Sequence, residues 1–134
     1  MKITIELDEK QARTILNALD AYARIGCGQL NIVREVICER WNDKRWEYRE
    51  GADTGLIIAK QALFPELGSY HANYGIPNRD VPLEFRRAYD IKKHIERPIA
   101  LAKNPNPAFF TSNYDGAVLN VSGEQLPTVT VSEE

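Results

Sequence analysis

The chain has 134 residues, 43% hydrophobic and 27% charged, an ordinary balance for a globular protein with length enough for one core. Seventeen Lys and Arg against 19 Asp and Glu give a net charge of −2, which argues against general binding to duplex nucleic acid. No run approaches the roughly 18 apolar residues of a membrane span, and the first residues lack the apolar stretch of a secretory signal. Cys27 and Cys38 lack a CxxC spacing, so the expectation is a single domain over 1–134 in a cytoplasm, with free thiols.

Residues 2–7 alternate, with Ile3, Ile5 and Leu7 against Lys2, Thr4 and Glu6, which is the period of a half-buried strand. Asp8 then suits an N-cap and Gln11 completes a capping box. Ala12, Ile15, Leu16, Leu19, Tyr22 and Ala23 recur at helical spacing over 9–25, and Gly26 suits a left-handed C-terminal position. A second helix over 29–41 has Leu30, Val33, Ile37 and Trp41 as its apolar stripe. So short a connection implies a helical hairpin or sharp corner. Residues 42–51 are charged and read as an exposed turn or frayed helix end. A third helix covers 54–63, with Leu56, Ile57, Ala59, Ala62 and Leu63, and Pro65 ends it.

Residues 68–82 have no period and are punctuated by Gly and Pro, as in a functional loop. A fourth helix spans 83–97, with Phe85, Ala88, Ile91 and Ile95 buried, and Pro98 ends or kinks it. Two β segments, 117–121 and 128–131, follow around Ser122, Gly123 and Glu124. The expected fold is therefore α+β: an N-terminal strand, a helical hairpin, two more helices and a small antiparallel sheet that includes the C-terminal strands.

Three groups of residues suit ligand binding. Gly26, Cys27, Gly28 and Gln29 form a glycine-rich turn before a helix, where free N–H groups meet anions, flanked by Arg24 and Arg34. The same pattern also suits a plain helix corner. Tyr70, His71, Tyr74 and Arg79 are types that stack on and edge a nucleobase, or that pin a loop to its own body. Arg86, Arg87, Lys92, Lys93, His94 and Arg97 make the fourth helix basic, either as a solvated face or as an anion-binding wall. Catalytic signals are thin. Cys27, Cys38, His71 and His94 match no zinc spacing, GxSxG is absent, and Cys27 with His71 is a nucleophile–base pair only if folding joins them. Asp20 and Asp90 read as helix-surface charges. No metal, cofactor or enzymatic activity is expected.

Residues 19–29, ending Arg24-Ile25-Gly26-Cys27-Gly28-Gln29, resemble a signature of small bacteriophage and prophage proteins. Asn73-Tyr74-Gly75-Ile76 with Val81-Pro82, Arg87-Ala88-Tyr89-Asp90-Ile91 with Ile95-Glu96-Arg97, and Gln125-Leu126-Pro127-Thr128 extend the likeness over most of the chain. That family often has His where Arg97 stands. The resemblance implies a phage product in an infected bacterium. By analogy it suggests a non-enzymatic anti-defence protein that sequesters a small anionic nucleotide signal, a cyclic nucleotide or ADP-ribose derivative, and aromatics such as Trp41 and Trp46 add the expectation of a homo-oligomer. Its ligand would lie against Arg24, Gly26, Gly28, Gln29, Arg34, Tyr70, His71, Tyr74, Arg86 and Arg87. The alternative is an inhibitor that binds a host protein through an aromatic patch at Trp41, Trp46 and Tyr48.

Overall fold

The computed structural model describes residues 1–41, 43–105 and 120–133. Four α-helices follow in order, α1 (Glu9–Gly26), α2 (Asn31–Arg40), α3 (Arg49–Leu63) and α4 (Leu83–Lys103), with a 3₁₀ helix at Asp43–Tyr48. The start of α1 is set locally. Asp8 Oδ1 accepts from the Gln11 N–H at 2.8 Å, and the Asp8 N–H donates to Gln11 Oε1 at 2.9 Å. At its other end Gln29 N–H donates to Arg24 O and Gly28 N–H to Ile25 O, and Gly28 takes φ +84°. Gly26 therefore is not the left-handed residue; it is the last helical one and lies buried beneath the Phe85 ring.

The largest interface joins α1 to α4, while α2 leans on α3 and on α1. Ala12, Leu16 and Ala23 of α1 are buried, as is Ala88 of α4, and the Tyr22 and Phe85 rings meet at 4.8 Å. α4 runs through Pro98 to Lys103 instead of ending at 97. A mid-helix proline costs about 3 kcal/mol by itself. Here the helix lies along α1, and Lys103 reaches an ion pair with Glu9, so tertiary packing outweighs the lost N–H.

The expected sheet is not there, and the α+β class is corrected: among the described residues the protein is helical, with no strand. Residues 2–7 keep the strand period but pair with no strand among the described residues, and Ile3, Ile5 and Leu7 are all exposed. At Val121 the expected partner segment is otherwise engaged. Val121 and Ser122 donate their backbone N–H groups to the Asp90 carboxylate at 3.0 and 2.9 Å, and Val121 O accepts from Arg86 at 3.1 Å. Arg87 grips Glu124 through two bonds of 2.7 and 3.1 Å. Backbone groups satisfied by side chains of α4 are unavailable to a ladder. Residues 128–131 are irregular, and 117–119 lie outside the described residues. α2 also turns a different way from its expected stripe. It buries Ile32 and Cys38 together with Leu30 of that stripe, and leaves Val33, Ile37 and Trp41 exposed.

Candidate functional site

The long loop does fold onto the α1–α2 corner. Tyr74 N–H donates to Cys27 O at 2.9 Å, and Leu67 and Phe64 press against Gly28, where a Cβ would lie 2.6 Å from Leu67 Cδ1. Lys60 holds the loop from beneath. It is 2% exposed and donates to Tyr70 O at 2.6 Å and to Ala72 O. Burial alone pushes its ammonium pKa down. The Tyr74 hydroxyl donates to Glu66 at 2.7 Å, and that bond raises the phenol's pKa. The buried Tyr70 hydroxyl lies near Asp53 without hydrogen-bond geometry; burial first, then the Asp53 charge, raises its pKa. His71 is exposed and its ring meets the edge of Tyr70 at 5.5 Å. The loop's aromatics thus spend much of their chemistry on anchoring the loop.

The arginines of the expected site are separated and internally bonded. Arg34 pairs with Asp53 at 3.1 Å, Arg86 ties Val81 O to Val121 O, and Arg87 holds Glu124. Gly26 packs on Phe85, Gly28 on Leu67, and Gln29 Oε1 accepts from Arg24 at 2.9 Å. Cys27 is buried, and burial raises its thiol pKa despite the nearby Arg24 charge, which is the opposite of an activated nucleophile. Among the described residues no three His, Cys, Asp or Glu side chains are grouped to hold a metal ion.

Arg24 points elsewhere, into a groove of about 540 Å³ between α1 and α4. Arg13, Asn17, Asp20 and Arg24 line it from α1, and Lys92, Glu96, Ile99 and Lys103 from α4, with Asn104 at the end. A smaller cavity of about 280 Å³ holds Tyr70 with Lys60 and Phe64. Arg24 and the loop therefore line different cavities, although the loop covers the corner next to Arg24.

Asp20 organises the groove, bonding Arg24 Nε at 2.9 Å and Lys92 Nζ at 2.8 Å. At its far end Glu9 pairs with both Arg13 and Lys103. Burial pushes the Asp20 carboxyl pKa up, but Lys92 and then Arg24 outweigh it and hold it below the ordinary value. Lys103, then Arg13, do the same for Glu9. Sequence reasoning marked Arg24 for ligand binding and named Lys92 within the basic fourth helix, but it read Asp20 as a helix-surface charge and missed Lys103; their partners lie up to 94 residues away.

These depressed carboxylates make the α1–α4 pair sensitive to acid. The folded state binds fewer protons than the unfolded one, so the stabilisation is full above the unfolded pKa near 4 and fades as pH falls through the folded values. Thermal melts followed by helical circular dichroism are expected to shift downward on acidification below about pH 4. Asp20→Asn should lower the melting temperature at neutral pH and flatten that acid slope. An unchanged slope in the variant would remove Asp20 as its source.

No membrane-crossing helix is present among the described residues: none is long and apolar enough. Comparison with protein-family models, with curated proteins and with solved structures finds no match to this chain.

Proposed function

We propose that this chain is a non-enzymatic binding protein that holds a small anionic nucleotide intact in the α1–α4 groove. One observation carries the reading: Arg13, Arg24, Lys92 and Lys103 converge from two helices on one cavity, whose acids among the described residues are Asp20 and Glu96. Its volume lies within the range of about 300–1,000 Å³ usual for small-molecule sites. Asn17 and Asn104 add amides able to read the edge of a base or ribose.

Because Asp20 and Glu9 already bond these cations, a phosphate must compete for the same donors. That competition selects a ligand with more than one negative charge and makes binding weaken with salt. Among the described residues no aromatic ring lines the groove, so those residues would hold a base by its edges. The likeness to small phage proteins supports a nucleotide immune signal, a cyclic nucleotide or ADP-ribose derivative, withdrawn from the cytoplasm of an infected bacterium.

The test begins with co-expression beside a nucleotide-signal synthase, denaturation of the purified protein and mass spectrometry of what is released. Calorimetry with ADP-ribose and a cyclic dinucleotide then follows on folded variants. Arg24→Ala and Lys92→Ala should each lose a charged hydrogen bond of about 1.5–3 kcal/mol, a roughly 10- to 100-fold drop in affinity. The ligand should be recovered unchanged. Equal affinity in both variants, or conversion of the nucleotide beyond one equivalent, would overturn the reading.

A further inference from the structure

The stripe of α2 is exposed where a helix face of this pattern is usually covered. Val33, Ile37 and Trp41 follow one another at four-residue spacing, with Val36 beside them, which is the pattern of a helix face that packs on something. Yet they are 39%, 44%, 65% and 38% exposed, in that order. The helix meets α1 and α3 through its other side, where Ile32 and Cys38 are buried. The surface continues into the 3₁₀ helix. Cys38 Sγ contacts Arg45 O at 3.5 Å, the Arg45 guanidinium lies 4.9 Å over the Trp41 ring, and Trp46 and Tyr48 are 39% and 63% exposed.

We infer that this face is the interface of a symmetric dimer, in which α2 and the following 3₁₀ helix of one copy pack against the same elements of a second copy. Area supports a specific contact. The exposed parts of these six side chains amount to roughly 600 Å² per copy, which puts two copies near the lower bound of about 1,200 Å² for stable interfaces, before any rim is counted.

Charge selects the occupant. Among the described side chains the exposed rim carries Glu39, Glu47 and Glu50 against Arg40, Arg45 and Arg49. Three charges of each sign give no net field to attract a strongly acidic or basic partner. A two-fold axis can set such a rim against its own complement. Val33 and Trp41 lie four residues to either side of Ile37, so an antiparallel crossing of the two α2 helices places Ile37 nearest the axis. Tryptophan, tyrosine and arginine, the residues that dominate binding energy at interfaces, are all present at this surface. The inference does not depend on the α1–α4 groove, which α2 does not line.

Sedimentation velocity on the full chain, over a dilution series from about 1 to 100 µM, is expected to show a dimer that dissociates on dilution. Ile37→Arg places two like charges across the axis and should weaken the dimer at least about 100-fold, as should Trp41→Arg, each with wild-type helicity. Ile37→Cys supplies an independent reading, because the native thiols are buried. Mild oxidation should join two copies through position 37 and preserve the dimer on dilution. A wild-type chain that stays monomeric throughout the series overturns the inference. So does a dimer that both arginine variants leave intact, or one in which Ile37→Cys fails to cross-link. Capture of a different protein by a monomeric chain would assign the face to that partner instead.

Discussion

Replacing Asp90 by alanine is expected to cost about 3 kcal/mol, lowering the thermal midpoint by more than ten degrees or preventing stable folding. Asp90 is 2% exposed, and its two carboxylate oxygens each accept one backbone N–H, from Val121 and from Ser122. Hydrogen bonds to a charged group contribute about 1.5–3 kcal/mol each. Alanine would leave both amides unpaired beside α4 and remove the anchor of a segment that Arg86 and Arg87 also hold. Asp90→Asn keeps one acceptor but turns an N–H₂ toward a donor, so it should recover less than half of the loss. Denaturant melts of the three proteins measure the effect. Alanine and wild-type proteins of equal midpoint would show that the tail contributes nothing to stability.

Gly26→Ala is the second large effect, about 2–3 kcal/mol, from overpacking rather than lost bonding. A Cβ built at Gly26 falls 2.0 Å from Phe85 Cγ and 2.4 Å from Cδ2, so the ring or the backbone of α4 must move. The same substitution at Gly51 or Gly55, also helical, meets nothing within 4 Å. There it should stabilise by about 0.4–1 kcal/mol through the unfolded chain. The opposite signs separate contact from propensity. A second separation comes from Phe85→Ala, which removes the Cγ and Cδ2 atoms nearest the new methyl, so the double variant should be more stable than the sum of its parts. Additive losses would mean that Phe85 is not what excludes a side chain at position 26.

What could be read from the sequence was what neighbouring residues decide among themselves. Asp8 and Gln11 announce their capping box because both partners lie within one turn. All four helices follow from period and punctuation, with α3 starting earlier and α4 ending later than local signals suggest. The sheet failed for a different reason. Ile3, Ile5 and Leu7 give a strand's period, but a period does not supply a partner, and in the tail the Val121 and Ser122 backbone is bonded to α4 instead. α2 shows the same limit: Val33, Ile37 and Trp41 form a true apolar stripe, yet which side of a helix is covered is decided by distant segments. At the candidate groove Arg24 was visible for its place beside a glycine turn. Lys92 was visible only as one charge of a basic helix, since its partner Asp20 lies 72 positions away. Lys60 sits at helical spacing with Ile57 and Phe64, a signal that could have flagged a buried amine.

The two cysteines turn the fold into its own stopwatch. Cys27 sits under the loop at the α1–α2 corner, where its carbonyl receives Tyr74, and Cys38 lies behind α2 against the 3₁₀ helix. Both thiols are buried, and neither is bridged. A thiol-specific reagent reaches Cys27 only when the loop lifts, and Cys38 only when the 3₁₀ helix parts from α2, so two labelling rates time two separate local openings without any introduced probe. A nucleotide in the α1–α4 groove touches neither lid directly. A second copy docked on α2 would slow the Cys38 rate and leave the Cys27 rate alone, so the pair of rates distinguishes which surface of the protein has found its partner.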